Sequence, residues 1–173
     1  TGDEGVDSAV MASKQSTNEQ ELKSQKSDAY LENLLLDAFN ELSELNLLEG
    51  CQDLGAGGIL CATTEVIKRG REKTDKNLGC DIFLENVSLK CPLDNYSILA
   101  SESQERMLIV CDKKNLSQIY SVFKKWDLNY NSIGLVTDNG LYNVYKNDSI
   151  VYSNKFMNFN PDPKFINYLF TNS

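Results

Sequence analysis

Residues 51–70 read CQDLGAGGILCATTEVIKRG, and this stretch decides the fold because it changes from a strand to a helix across a glycine cluster. A short segment ends at Asp53, and glycines follow at positions 55, 57 and 58. Apolar residues then recur at helical spacing until Gly70, a residue typical of helix ends. The pattern predicts a strand, a tight turn and a helix over 58–69.

Four further apolar patterns predict the elements around this stretch. A stripe of apolar residues predicts a helix over 28–47, which Ser27 or Asp28 can cap. Residues 107–111 (MLIVC) are typical of a buried strand, and 115–126 has a helical apolar face. Residues 92–100 indicate a short helix.

The remaining patterns predict short strands and turns. Residues 81–84 indicate a short strand, and the charged stretch 71–77 (REKTDKN) a solvated loop. The Asn-Gly within 138–140 lies between alternating runs at 133–137 and 142–145, which predicts a hairpin. A second turn at 147–148 leads to a strand over 150–152.

This order of elements predicts an α+β domain, with a mixed sheet covered by helices. We expect the domain to occupy residues 27–153. Residues 1–26 are predicted to form a mobile N-terminal segment because large apolar side chains are scarce before the first helix. Residues 154–173 are predicted to form a tail. Because the chain opens at Thr1 rather than methionine, we also expect it to be part of a larger protein.

The composition excludes several classes of protein. A net charge of −8 and an isoelectric point near 4.6 argue against nucleic acids and anionic membranes as partners. No apolar run is long enough to span a bilayer. The chain contains no histidine, which excludes Ser-His-Asp chemistry and His-ligated metals within it. Five cysteines without a C-x-x-C pair favour reduced, mostly buried thiols and a cytoplasmic location.

Two polar clusters are candidates for a functional site. Asp53 offers carboxylate oxygens to a hard cation such as Mg²⁺, and the glycines after it allow backbone N–H groups to approach a phosphate. Spacing alone favours a purely structural turn there, since it fits neither the dinucleotide fingerprint nor the Walker loop. Residues 101–106 (SESQER) join a predicted helix to a predicted strand. Their side chains suit a polar substrate, but a solvated connection with a Glu–Arg pair explains them equally well.

Five stretches of the chain resemble phosphoribosylformylglycinamidine synthase, an enzyme family of purine biosynthesis. The most specific is SESQERM at 101–107, followed by QDLGAGG at 52–58. TGDEGVDSAVMAS at 1–13, VFKKWDL at 122–128 and IGLVTDNG at 133–140 also resemble family segments. The resemblance implies the C-terminal half of the first of two units that are similar to aminoimidazole ribonucleotide (AIR) synthetase. In this family that half is an α/β/α layered domain with partial ferredoxin-like topology.

The resemblance also implies a reaction and a set of binding residues. The family uses ATP to activate formylglycinamide ribonucleotide as an iminophosphate, from which glutamine-derived ammonia displaces phosphate. Asp53 matches the family's magnesium ligand. Glu102, Ser103 and Gln104 match its substrate-binding triplet. Gln25 falls at a substrate-contacting glutamine, although the family's following Gly-Asp-Pro is replaced here by residues 27–29 (SDA).

By the same resemblance, the family's catalytic histidines and its ATP-contacting lysine lie in the N-terminal half, so none of the catalytic residues is expected here. The implied partners are the rest of the synthetase chain and a glutaminase subunit or domain, and the isolated chain is expected to be inactive. Two alternatives stay open. The chain could belong to another member of the superfamily, such as AIR synthetase or a relative in thiamine-phosphate or selenophosphate synthesis, or it could be a non-catalytic α/β binding module.

Overall fold

The computed structural model describes residues 28–156, in which helices alternate with short strands up to residue 125 and three strands follow. The elements are α1 (Ala29–Glu44), β1 (Gly50–Asp53), α2 (Gly58–Thr74), β2 (Gly79–Phe83), α3 (Asn95–Ala100), β3 (Met107–Val110), α4 (Leu116–Lys125), β4 (Gly134–Thr137), β5 (Leu141–Lys146) and β6 (Ser149–Lys155). The segment predicted at 1–26 lies outside the described residues, as does the predicted tail from residue 157 onward. Asn154 and Lys155 belong to β6 rather than to a tail.

Helix α1 begins as predicted but ends three residues early. The Asp28 carboxylate caps it by accepting hydrogen bonds from the backbone N–H groups of Tyr30 and Leu31, at 3.1 and 3.0 Å. The helix ends at Glu44, and Asn46 then takes a positive φ of 53° that turns the chain toward β1. Strand β1 then begins at Gly50.

Helix α2 is longer than predicted, because residues 71–74 continue it instead of forming a loop. The Arg71 Nε donates to the Leu78 carbonyl at 2.6 Å, and its guanidinium lies 4.5 Å from the centroid of the Phe156 ring. These contacts anchor the last turn of the helix to Leu78 and to the distant Phe156, which a local charge pattern does not reveal. The helix ends at Thr74, and its C-cap, Asp75, has a left-handed φ of 55°.

The strands form two sheets among the described residues. Strands β1 and β3 make an antiparallel pair, and the other sheet has the order β4-β2-β5-β6. In the larger sheet β2 runs parallel to β5 and antiparallel to β4, so this sheet is mixed, as predicted. The α+β class is confirmed.

The predicted hairpin at residues 138–140 is wrong. Strand β2 lies between β4 and β5, because its buried Cys80 and Ile82 place it at the centre of the sheet. Gly134 allows the close approach of β4, since a Cβ there would lie 2.4 Å from the Asp81 carbonyl oxygen. The turn at residues 147–148 does join neighbouring strands, β5 and β6, and both of its residues take the positive φ of a tight hairpin turn.

Two apolar cores lie on opposite faces of the small β1–β3 sheet. On one face Leu108 and Val110 join the core that α2, α3 and the large sheet enclose. On the other face Ile109 and Cys111 join the core of α1 and α4. The small sheet is therefore sandwiched between helices, with alternate β3 residues facing alternate cores. Helices α1 and α4 cover this sheet rather than the large one.

The expectation that most of the five cysteines are buried is wrong. Only Cys80 is buried, Cys91 is exposed, and those at positions 51, 61 and 111 are half-buried. Burial raises the pKa of the Cys80 thiol to about 12. Among residues 28–156, no helix is both long enough and apolar enough to cross a bilayer.

Candidate functional site

The first part of the candidate site is the turn that joins β1 to α2. The strand ends at Asp53, and the backbone N–H of Gly58 donates to the Gly55 carbonyl at 3.0 Å to close the turn. Gly57 and Gly58 have φ values of 75° and 54°, which disfavour residues with a Cβ. The predicted order of strand, glycine turn and helix is confirmed.

The second part is the loop over residues 101–106, between α3 and β3. Ser101, Glu102 and Ser103 are 1, 3 and 5 % exposed, whereas Gln104 is exposed. The guanidinium of Arg106 folds back over this loop, with Nε donating to the Ser103 carbonyl at 2.8 Å and Nη2 to the Ser101 carbonyl at 2.5 Å. The loop is therefore a built and largely buried structure rather than a solvated connection.

The fold brings these two parts together. In the β1–β3 ladder Asp53 lies opposite Met107, the residue directly after the loop. The backbone N–H of Leu54 then donates to the Arg106 carbonyl at 3.1 Å. At the start of α2, a Cβ on Gly58 would lie 2.3 Å from the Ser101 carbonyl oxygen, so the turn and the loop are in backbone contact. The two motifs meet at one edge of the molecule.

Cys61, in the first turns of α2, interacts electrostatically with Glu102. The pKa of the Cys61 thiol is raised, first by burial and then by the negative charges of Glu65 and Glu102. Both nearby charges favour the neutral thiol, so Cys61 is not activated as a nucleophile.

The carboxylate of Asp53 is exposed at this edge and is held from one side. The Gln52 Nε2 donates to Asp53 Oδ1 at 2.8 Å, and the Arg69 Nη2 donates to Gln52 Oε1 at 2.7 Å. The other oxygen, Oδ2, faces Gly55, where an added Cβ would lie 3.4 Å from it. The sequence did not predict the hydrogen bond between Gln52 and Arg69, because seventeen positions separate the two residues and no local pattern links them.

The donor set at Asp53 suits a magnesium ion that is held by one carboxylate. Among the described residues, no three His, Cys, Asp or Glu side chains are grouped so that they could enclose a metal. Mg²⁺ typically keeps several waters and takes only one or two protein carboxylates together with phosphate oxygens. An exposed carboxylate with one oxygen already fixed, beside a turn that lacks side chains, fits that mode of binding.

The N-terminus of α1 also lies beside the loop. The backbone N–H of Asp28 donates to Glu105 Oε1 at 3.3 Å, and Glu105 itself takes a positive φ of 55°. Gln25 is three positions before Asp28 but lies outside the described residues.

Surface hollows occur elsewhere on the described part of the molecule. One of about 400 Å³ is lined by residues 85–88 and 131–132, and another of about 580 Å³ by residues 76–78 and 136–138. Neither includes Asp53 or the 101–106 loop.

The fold and the site define an α+β domain in which a glycine turn and a buried polar loop meet beside an exposed carboxylate. The family described as "AIR synthase related protein, C-terminal domain" matches residues 1–147. The chain belongs to this family.

Proteins similar in sequence to this chain include PurL proteins. The chain is 39 % identical over 154 residues to phosphoribosylformylglycinamidine synthase subunit PurL of Leptospira biflexa, covering 87 % of this chain and 20 % of that protein. The Thermotoga maritima PurL is 37 % identical over 155 residues, covering 87 % of this chain and 25 % of the relative. The chain thus spans a fifth to a quarter of the length of these relatives.

Solved structures of Thermotoga maritima PurL have the same fold. The structure complexed with ATP matches with a TM-score of 0.69 and 36 % identity, covering 77 % of this chain and 22 % of that one. The structure complexed with FGAR matches with a TM-score of 0.71 and 34 % identity, covering 82 % of this chain and 23 % of that one.

Proposed function

We propose that the chain forms one wall of the active site of a phosphoribosylformylglycinamidine synthase. In this proposal Asp53 holds Mg²⁺, and Glu102, Ser103 and Gln104 bind formylglycinamide ribonucleotide. The observation that carries it is the pairing of Asp53 with Met107, which brings the glycine turn and the SESQERM loop to one edge. The reaction would be the ATP-dependent amidation of that substrate with ammonia derived from glutamine.

The role of Asp53 is to present one carboxylate oxygen to the cation. Its Oδ1 is engaged by Gln52, so Oδ2 is the oxygen directed toward the glycine turn. When bound, the magnesium neutralises charge on the phosphoryl group that ATP transfers. The backbone of the turn leaves room for phosphate oxygens at Gly55, where an added Cβ would meet only Asp53 Oδ2, at 3.4 Å.

The polar triplet divides into an inner and an outer part. Glu102 and Ser103 are buried, and the hydrogen bonds of Arg106 to the Ser101 and Ser103 carbonyls fix the backbone around them. These two residues form the rigid inner part. Gln104 is exposed at the surface of the loop, and its amide both donates and accepts hydrogen bonds. We assign the outermost substrate contact to Gln104. Gln25 would contribute from the segment that leads into α1.

The opposite wall would come from the rest of the synthetase. Asp53 and Gln104 are exposed at the described edge, and the chain has no histidine to act as a general acid or base. ATP would be bound mostly by that other wall, and a glutaminase subunit or domain would supply ammonia. A solved structure of PurLQS from Thermotoga maritima, of which this chain matches part, supports an assembly of several subunits. We expect a cytoplasmic enzyme.

The metal role is tested with Asp53→Asn in the full synthetase. Turnover measured against Mg²⁺ concentration should show a higher magnesium requirement and a lower maximum rate, because an amide oxygen lacks the charge of the carboxylate. Asp37→Asn removes a similar exposed carboxylate from α1 and should leave the magnesium dependence unchanged. If Asp53→Asn also leaves it unchanged, Asp53 does not bind the metal.

The substrate role is tested with Gln104→Ala and, because Glu102 is buried, with the volume-conserving Glu102→Gln. Each should reduce kcat/KM for the ribonucleotide by about 5- to 150-fold, the equivalent of a lost hydrogen bond worth about 1–3 kcal/mol. Gln118→Ala, on the exposed face of α4, is the matched control. Unaltered kinetics would place the triplet outside the site. Turnover by the isolated 173-residue chain with ATP, ammonia and substrate would contradict the single-wall proposal.

A further inference from the structure

Three side chains form a continuous hydrogen-bonded path from the middle of α2 to the carboxylate at the end of β1. The Arg69 Nη2 donates both to the Cys51 carbonyl, at 2.8 Å, and to Gln52 Oε1, at 2.7 Å. Gln52 Nε2 in turn donates to Asp53 Oδ1 at 2.8 Å. Arginine has donors only, so it requires the oxygen of the Gln52 amide on its own side and leaves the amide nitrogen toward Asp53.

The packing of α2 along β1 makes this path possible. Gly50 has no side chain, and Val66 of α2 fits against it; a Cβ on Gly50 would lie 3.0 Å from Val66 Cγ2. Side chains on a helix lean toward its N-terminus, so Arg69 reaches back along α2 toward the glycine turn. Its guanidinium therefore arrives beside the backbone of Cys51 and the side chain of Gln52.

We propose that Arg69 and Gln52 are positioning residues that fix the rotation of the Asp53 carboxylate, so that Oδ2 is presented to the cation. This rests on the proposed metal role of Asp53. Hydrogen bonds to a ligating side chain orient it and tune its affinity for metal. Gln52 holds Oδ1 while leaving Oδ2 on the side of Gly55.

A neutral glutamine between the two charged groups is important for this role. An arginine bonded directly to Asp53 would neutralise the carboxylate and compete with the metal for its oxygens. In the observed arrangement Arg69 orients Gln52, and only an uncharged amide contacts the ligand. Orientation is transmitted while the carboxylate keeps its negative charge for the cation.

The test measures metal binding directly rather than activity. Mn²⁺ replaces Mg²⁺ as the probe, and the electron paramagnetic resonance signal of free Mn²⁺ reports binding to the full synthetase in the presence of ADP. The binding that Asp53→Asn abolishes defines the site. The variants Gln52→Met and Arg69→Met each remove one link at similar side-chain length, and the double variant removes both.

Each single variant should raise the Kd of this site for Mn²⁺ by about 3- to 10-fold. Residues that hydrogen-bond to a metal ligand usually change metal affinity by about 10- to 100-fold. We expect a smaller effect here because the hydrogen-bonded path is exposed. The Kd of the double variant for Mn²⁺ should be no higher than that of the single variant with the larger effect, since both substitutions break the same hydrogen-bonded path. Lys68→Met removes a positive charge from the neighbouring position of α2 and should leave the Kd unchanged.

The possible failures separate the two proposals. If Asp53→Asn has no effect on Mn²⁺ binding, the metal role fails and the positioning role fails with it. If Asp53→Asn abolishes the site but Gln52→Met and Arg69→Met bind Mn²⁺ like the parent protein, only the positioning role fails. Effects that add in the double variant would mean that Arg69 acts by anchoring β1 through the Cys51 carbonyl, which also overturns the proposal.

Discussion

Replacing Gly58 with alanine tests the backbone contact between the glycine turn and the polar loop. The added Cβ would lie 2.3 Å from the Ser101 carbonyl oxygen and 2.8 Å from the Leu99 carbonyl oxygen. Both obstacles are main-chain atoms at the end of α3, so no side-chain rotation relieves the clash. Gly58 also has a φ of 54°, which an alanine adopts only with strain.

The expected loss of stability combines these two effects. A left-handed alanine costs about 1–2 kcal/mol, and overpacking against fixed atoms costs about 1–3 kcal/mol. Gly58→Ala should therefore lower the free energy of unfolding by about 2–5 kcal/mol, which corresponds to a drop in Tm of roughly 4–20 °C for a chain of this size. The structure would relieve part of the clash by moving α2 away from the loop, which separates the two motifs.

Urea unfolding measures this loss, with the fluorescence of the single tryptophan, Trp126, and far-ultraviolet circular dichroism as two probes. Gly55→Ala is the matched control in the same turn, because its Cβ would make only an ordinary contact at 3.4 Å with Asp53 Oδ2. We expect less than about 1 kcal/mol for the control. Equal losses in the two variants would refute the inferred contact between the turn and the loop.

Three further predictions concern stability and thiol reactivity. Hydrogen bonding to Lys125 lowers the pKa of Glu41, so Glu41→Gln should lower the Tm at neutral pH but not near pH 2, where the stabilisation is lost in the parent; a difference in Tm that persists in acid would contradict this. A thiol reagent near pH 8 should label exposed Cys91 in the folded chain and Cys80 only after unfolding, as read by peptide mass spectrometry. Because the pKa of the Cys80 thiol is about 12 in the folded chain, stability should also fall as the pH rises above about 9, the usual pKa of a thiol. Rapid labelling of native Cys80 would contradict both predictions. Leu42→Ala should cost about 2–5 kcal/mol in urea unfolding, since Leu42 is 1 % exposed between α1 and α4, and a loss below about 1 kcal/mol would mean that this core is loosely packed.

Local patterns predicted the elements of this fold better than they predicted how the strands pair. The apolar stripe and the Asp28 cap define α1 within a few residues, and the glycines after Asp53 mark the start of α2. The Asn-Gly signal failed because pairing is a tertiary choice. The Asn139 side chain closes that turn by accepting from the Leu141 backbone N–H at 2.9 Å, while β2 enters between the flanking strands. Strand β2 lies about fifty residues before β4 and β5 in the sequence, so a local pattern around the Asn-Gly turn cannot reveal that β2 pairs with both.

The candidate site divides in the same way. The residue types made Asp53 and the 101–106 loop candidates, but spacing alone favoured a structural turn at Asp53 and left the loop undecided. Family resemblance supplied their expected roles. The hydrogen bonds of Gln52 and Arg69 could not be predicted, because they depend on where α2 crosses β1. The hydrogen bonds of the Arg106 guanidinium to the Ser101 and Ser103 carbonyls could not be predicted either, because they depend on how the loop folds.

The spacing between the two motifs is set by the main chain rather than by the side chains that would meet the ligands. The Leu54 N–H binds the Arg106 carbonyl, and the start of α2 lies against the Ser101 carbonyl. Arg106 supports the same loop through two carbonyl oxygens. Because none of these contacts uses the carboxylate of Asp53 or the amide of Gln104, substitutions at those two positions should alter binding while the edge keeps its shape. Under the proposed function, substitutions at Gly58 or Arg106 should instead change the distance between the proposed metal and substrate positions, so that affinity for both falls together.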